Sequence, residues 1–283
     1  MPGCLINTAP DRLSHELACE ACHGALCPTT ERMKAVILAA GKGTRMGGLT
    51  QEIPKPMLLV EGKPILEHIV SGLASAGIHE ICLITGWKAE VIKQHFGDGQ
   101  RFGVQLTYCS QEVQDGTGRA ALPAREFVGE DDFLLTYGDI LVRPDTYQDM
   151  LGRYAEDAFD GLLTVTEGED VTKGGINFFD EAFCLTRLIE KPTPEQLQAL
   201  QQEGLIQSGS PVYYNAGIYL FNHRAFDQMA QLTKSPRGEY ELTDAISAIV
   251  KQGGKMAGLK IKGRWVDVRD PEVLASLAEG AQT

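Results

Sequence analysis

The sequence predicts an α/β domain, a three-layer α/β/α arrangement around a mixed, mostly parallel central sheet. Strand-like and helix-like segments alternate from Met33 onward, as they do when each strand returns to the sheet through a helix. The first strand-like segment, Ala35-Val36-Ile37-Leu38-Ala39, is apolar at every position, which suits a central strand covered on both faces.

The elements follow in order. Residues 64–76 read as a helix, with Pro64 at its first position and Gly77 as its stop. Residues 81–84 form the next strand, 88–96 a helix and 104–109 a third strand; residues 133–136 form a fourth, running directly into Tyr137-Gly138-Asp139. Further strands are expected at 161–166, 176–179, 185–189 and 213–221, a helix at 242–251 and a last helix from Pro271. The domain is assigned to residues 33–283, and 1–32 to an extension or an upstream start ahead of Met33. Within that extension Cys19-Glu20-Ala21-Cys22-His23 matches a haem-attachment pattern and, with Cys27, resembles a small zinc site, but a pattern this short is weak support. Cys82, Cys109 and Cys184 sit in apolar runs and read as small buried hydrophobes.

Composition narrows the function classes. A net charge of −12 opposes a general nucleic-acid binder, which carries a basic face. No apolar run reaches the length of a membrane span, so a soluble protein is expected, and the scattered cysteines suggest no disulfide framework, which fits a reducing cytoplasm. The sequence leaves a homo-oligomer open.

The chemistry starts where the first strand ends, in Ala39-Ala40-Gly41-Lys42-Gly43-Thr44-Arg45-Met46. Glycines here let successive backbone N–H groups converge on phosphate oxygens, and Arg45 adds a planar cationic fork. The frame is not a P-loop, and Met46 stands where a dinucleotide fingerprint needs its third glycine. Next comes Pro54-Lys55-Pro56-Met57, in which flanking prolines restrict the backbone and aim the lysine. Gln111, close before Gly116-Thr117, carries an amide able to donate to and accept from a base edge. Asp139, at the carboxyl end of a buried strand, lies where open α/β sheets bind ligands, and its hard oxygens suit magnesium.

LAAGKGTRM followed by PKPM resembles the amino-terminal signature of the sugar-phosphate nucleotidylyltransferases, and the likeness extends from about Met33 to Ala278. It implies a Rossmann-like nucleotidyltransferase domain that moves a nucleotidyl group from UTP or dTTP to a sugar 1-phosphate, glucose 1-phosphate by default. Guanylyltransferases of mannose 1-phosphate and uridylyltransferases of N-acetylmuramate or N-acetylglucosamine 1-phosphate share parts of the pattern. The resemblance makes Arg45, Lys55 and Lys191 the catalytic cations, and Ala39, Ala40, Gly41, Gly43, Thr44, Gln111, Gly116 and Thr117 the nucleotide site. Gly138, Gly175, Glu190 and Asn215 become sugar contacts. Asp139 and, within Trp265-Val266-Asp267, Asp267 become the ligands of Mg²⁺. The segment from Thr243 onward reads as a structural helix, and His68, His79 and His95 receive no catalytic role. A regulatory subunit that binds nucleotide-sugars without turnover would have lost the cations or the carboxylates, and this chain keeps them. No hexapeptide repeats of a β-helix are present, so no fused acyltransferase is expected.

Overall fold

The computed structural model describes residues 33–207 and 209–280; the cysteine-rich pattern of the first 32 residues lies outside them. Strand β1 (Lys34–Ala39) is followed by a short hairpin, β2 (Leu59–Val60) and β3 (Lys63–Pro64), and by helix α1 (Ile65–Ser75). Then come β4 (Glu80–Thr85), α2 (Ala89–Phe96), β5 (Gln105–Ser110), the single turn α3 (Arg125–Val128) and β6 (Phe133–Tyr137). The second half holds β7 (Ile140–Val142), α4 (Asp145–Tyr154), β8 (Gly161–Thr166), β9 (Gly175–Phe179), β10 (Leu185–Glu190), α5 (Pro194–Gln202) and β11 (Tyr213–Phe221). It closes with α6 (Ala225–Gln231), α7 (Leu242–Lys251), β12 (Met256–Lys260), β13 (Trp265–Asp267) and α8 (Pro271–Gly280).

One nine-stranded sheet carries the order β10-β9-β11-β6-β1-β4-β5, with β8 joined to β11 and β12 to β8. Its amino-terminal half (β6, β1, β4, β5) is parallel, whereas β11 runs antiparallel to β6, β8 and β9. Helices cover both faces. Ala35 and Ile37 of β1 pack into one core with α1, α2 and α4, and Val36 packs into the other with α3, α6 and α7. Burial on both sides is why β1 shows no polar alternation.

The sheet places the ligand crevice. From β1 the chain moves outward through α1 to β4 on one side, while β6 takes the other side, so the strand order reverses between β1 and β6. Open α/β sheets bind ligands outside the carboxyl ends of strands at such a point. There the Ala39–Lys42 segment and Gly138-Asp139 lie side by side, the Gly138 N–H donating to the Leu38 carbonyl at 2.9 Å.

One expectation shifts in detail. Pro64 ends β3, paired with Leu59 in an extended conformation, and so caps α1 rather than opening it. The stop behaves as expected: Gly77 has φ +87°, and the Ile78 N–H turns back to the Leu73 carbonyl at 3.0 Å. The sequence reading missed the short elements β2, β3 and α3, and also α4, α5, α6, β7, β12 and β13. Of these α5 carried a legible start, the capping box Thr193-Pro194-Glu195-Gln196.

Candidate functional site

The turn after β1 is held open by conformation and anchored by side chains. Gly43 has φ +62°, and a Cβ there would lie 2.8 Å from the Lys55 Cβ, so only glycine lets the loop close over Lys55. The Thr50 hydroxyl donates to the Gly43 carbonyl at 3.0 Å. The side-chain amide of Gln114 donates to the Ala40 carbonyl at 2.6 Å, tying the base-side loop to the glycine turn. A cavity of about 450 Å³ opens between them, lined by Ala39, Ala40, Gly41, Gly43, Arg45 and Lys55 on one wall. Gln111, Gly116 and Thr117 form the opposite wall, and Gly138, Asp139 and Asp267 the floor. Thr44, the first residue of the following 3₁₀ turn, is not among the lining residues.

Asp139 and Asp267 are far apart in sequence and adjacent in space. Strand β13 pairs antiparallel with β7, setting Asp267 opposite Ile140, and the Val268 N–H donates to the Asp139 carbonyl at 3.0 Å. The Trp265 indole N–H donates to the Ala216 carbonyl at 2.8 Å, locking β13 against β11. Lys55, 7% exposed, forms an ion pair with the Asp139 carboxylate. Burial, and then the charge of Asp139, push the Asp267 carboxyl up to about 6 against the opposing pull of Lys55, Arg269 and Arg45. Two carboxylates thus share a partly desolvated place that a cation would relieve. Among the described residues no cluster of three or more His, Cys, Asp or Glu side chains is arranged to hold a metal. Two hard carboxylates alone fit an ion such as Mg²⁺, which takes the rest of its shell from substrate phosphates and water.

A second cavity of about 180 Å³ adjoins the first, sharing Thr117, Tyr137, Ile140, Glu239 and Asp267 with it. Gly175, Glu190, Lys191 and Asn215 line it. Gly175 pairs with Glu190 across the β9–β10 hairpin, and a Cβ there would sit 3.2 Å from both the Asn215 Cβ and a Glu190 carboxylate oxygen. Burial raises the Glu190 carboxyl, while Lys191 and Arg237 pull it back. Lys191 holds φ +42°, and its N–H donates to the Gly174 carbonyl at 2.9 Å. Gly138, expected with the sugar contacts, lines the first cavity only, because it leaves β6 beside β1 on the Asp139 side.

The wall between the cavities was not legible in the sequence. Tyr240 lies alongside Gly116; its N–H donates to the Asp115 carbonyl at 2.9 Å, and its carbonyl accepts from the Gly118 N–H at 2.8 Å. Glu239, Glu241 and Thr243 line the second cavity, so the segment read as a structural helix also forms site wall. Thr243, 5% exposed, sets its hydroxyl beside Glu190 with no hydrogen-bonding partner of good geometry among the described residues. The three histidines make contacts within the fold: His68 with the Val60 carbonyl, His79 with the Gly103 carbonyl and His95 with Glu67.

Known proteins share this architecture. The sequence profile described as nucleotidyl transferase matches residues 34–282. The chain is 35% identical over 243 residues to the low-salt glycan biosynthesis nucleotidyltransferase Agl11 of Haloferax volcanii, covering 85% of this chain and 63% of that one. It is 36% identical over 247 residues to the bifunctional protein GlmU of Methanococcus maripaludis, covering 84% and 52%. The chain therefore spans only about half to two-thirds of the length of these curated relatives. The UTP–glucose-1-phosphate uridylyltransferase AglF of Haloferax volcanii is 33% identical over 242 residues, covering 85% and 93%. A solved Bacillus anthracis protein, assigned as a glucose-1-phosphate thymidylyltransferase and bound to sucrose, superposes with a TM-score of 0.75 at 26% identity, over 88% of this chain and 95% of that one.

Proposed function

The chain belongs to the nucleotidyl transferase family, and from that premise we propose that it transfers a nucleotidyl group from UTP or dTTP to a sugar 1-phosphate, releasing pyrophosphate. Glucose 1-phosphate is the favoured acceptor. One observation carries the reading: Asp139 and Asp267 meet beside Lys55 at the floor of a cavity whose wall is the glycine turn. That arrangement supports a site for a triphosphate and a divalent cation together, with a second cavity opening next to it for the acceptor.

In this reading the acceptor's phosphate oxygen attacks the α-phosphorus in line, and the protein acts by positioning and by balancing charge. Backbone N–H groups of the glycine turn and the Arg45 guanidinium receive the leaving pyrophosphate. Lys55 exchanges the Asp139 carboxylate for phosphate oxygens as the triphosphate enters. Lys191, at the rim of the second cavity, meets the phosphate of the sugar. Asp139 and Asp267 would hold Mg²⁺, which would supply positive charge to balance the negative charge of the two substrates. No general base is needed, because a phosphate monoester is already largely anionic near pH 7.

Gln111 beside Gly116 and Thr117 supports a pyrimidine, and the activities named for the Haloferax and Bacillus proteins support UTP or dTTP with glucose 1-phosphate. A cytoplasmic site of action accords with the absence, among the described residues, of any helix long and apolar enough to cross a membrane. Pyrophosphate release tests the reading. UTP, dTTP, CTP, ATP and GTP are each combined with glucose, mannose and N-acetylglucosamine 1-phosphates in the presence of Mg²⁺. Release is expected with UTP or dTTP and glucose 1-phosphate; the acetamido-sugar as best acceptor would move the assignment, and no release from any pair would overturn it.

A further inference from the structure

Asn215 stands on β11 at the wall of the second cavity, and its amide orientation is fixed from behind. The backbone N–H of Gly217 faces Oδ1 at 3.3 Å, and the Tyr219 hydroxyl donates to the same oxygen at 3.0 Å. A backbone N–H can only donate, so the atom it faces is the oxygen, and Nδ2 is the group left for a ligand. In a regular strand two residues four apart lie about 13 Å from each other, out of reach for an asparagine. Here the β11–β8 pairing is irregular between Asn215 and Tyr219, and Gly217 has φ +81°. Such a bulge re-aims side chains, and tyrosine has the length to close the gap.

Tyr219 is 1% exposed and packs edge-on against Tyr137 with ring centroids 6.3 Å apart, its hydroxyl near that of Tyr137, which in turn lies near Thr117 on the nucleotide side. The Thr117 hydroxyl accepts from the Leu242 N–H at 3.4 Å. The bond that orients the amide is therefore the donation from the Tyr219 hydroxyl to Asn215. A buried tyrosine ring packed on its neighbour holds its hydroxyl in place, so the donated bond keeps one direction.

We propose that Tyr219 is a positioning residue for the acceptor sugar, holding Asn215 so that its amide donates to a sugar hydroxyl while Glu190 accepts from another. The proposal rests on the nucleotidyl-transfer reading. It assigns opposite hydrogen-bonding senses to the two side chains, and so makes the site selective for the hydroxyl pattern that meets them.

The test compares wild type, Tyr219→Phe, Asn215→Ala, the double variant and Asn215→Asp, with UTP and glucose 1-phosphate as probes and Tm recorded for each. Loss of one hydrogen bond corresponds to about a fivefold effect. Tyr219→Phe should therefore raise KM for glucose 1-phosphate about fivefold with KM for UTP unchanged, and should add nothing in the Asn215→Ala background. Asn215→Asp keeps the oxygen that Tyr219 and Gly217 hold but removes the donor, so it should lose sugar binding as fully as Asn215→Ala. It decides the matter even if Tyr219→Phe fails to fold. An unchanged sugar KM in Tyr219→Phe, additive losses in the double variant, or wild-type sugar binding by Asn215→Asp would each overturn the proposal. A wild type that releases no pyrophosphate would instead overturn the reading beneath it.

Discussion

Lys55 is the side chain whose loss the account predicts most sharply. It is nearly buried, pressed against the glycine turn through Gly43 and paired with Asp139, so it cannot be read as a solvated surface lysine. Lys55→Ala should lower turnover by about 10²–10³-fold, the scale of removing one preorganised charge-stabilising donor. Retained near-UV circular dichroism and cooperative unfolding would show that the fold survives. Asp267 makes the complementary case. Its folded-state carboxyl titrates near 6, above the ordinary carboxylate range, so above that pH its charge costs stability, and below it the cost fades. In chelator-treated protein at pH 7.5, Asp267→Asn should raise Tm by a few degrees, reflecting roughly 2 kcal/mol of relieved cost, from burial of the charge first and from the like charge of Asp139 second. At pH 5 the gain should shrink, and a Tm that falls at pH 7.5 would count against the paired-carboxylate picture.

The element that joins the two cavities is the segment from Glu239 to Thr243 laid along Asp115–Gly118. Gly116 makes that contact feasible: it has φ +120°, and a Cβ there would fall 2.2 Å from the Tyr240 carbonyl oxygen. Gly116→Ala should therefore force the two segments apart, costing about 2–4 kcal/mol and raising KM for both substrates. A denaturant midpoint equal to that of the wild type would contradict the close approach. Thr243 offers a milder probe. Its hydroxyl is buried without a good partner among the described residues, an arrangement that costs stability until a ligand satisfies it. Thr243→Val should leave Tm level or higher while weakening glucose 1-phosphate; a lowered Tm would mean that the hydroxyl already serves the fold.

The molecule as a whole shows which parts of a site sequence pattern can carry. The glycine turn, Lys55 between its prolines, and Asp139 at the end of β6 are local features, each written in consecutive residues, and the structure gathers them around one crevice. Asp267 was expected beside Asp139 only through the family resemblance and not through local pattern, since its place depends on β7 and β13, three-residue strands too short to leave a periodic trace. Tyr219 looked like any apolar residue of a buried strand; its role depends on a bulge and on Tyr137, which only tertiary pairing brings near. Glycine-containing β12 was missed for a related reason. Gly258 lies beneath Phe179 and Phe183, a close approach that depletes the strand signal while serving the packing.

The central claim is that two distant carboxylates jointly hold the divalent cation on which nucleotidyl transfer depends. Mg²⁺-dependent pyrophosphate release from UTP and glucose 1-phosphate, compared among wild type, Asp139→Asn and Asp267→Asn, tests it most directly. The account predicts release by the wild type that chelation abolishes, and a loss of at least about 100-fold in each variant at saturating Mg²⁺, with folding retained. A wild-type rate in either variant would contradict it.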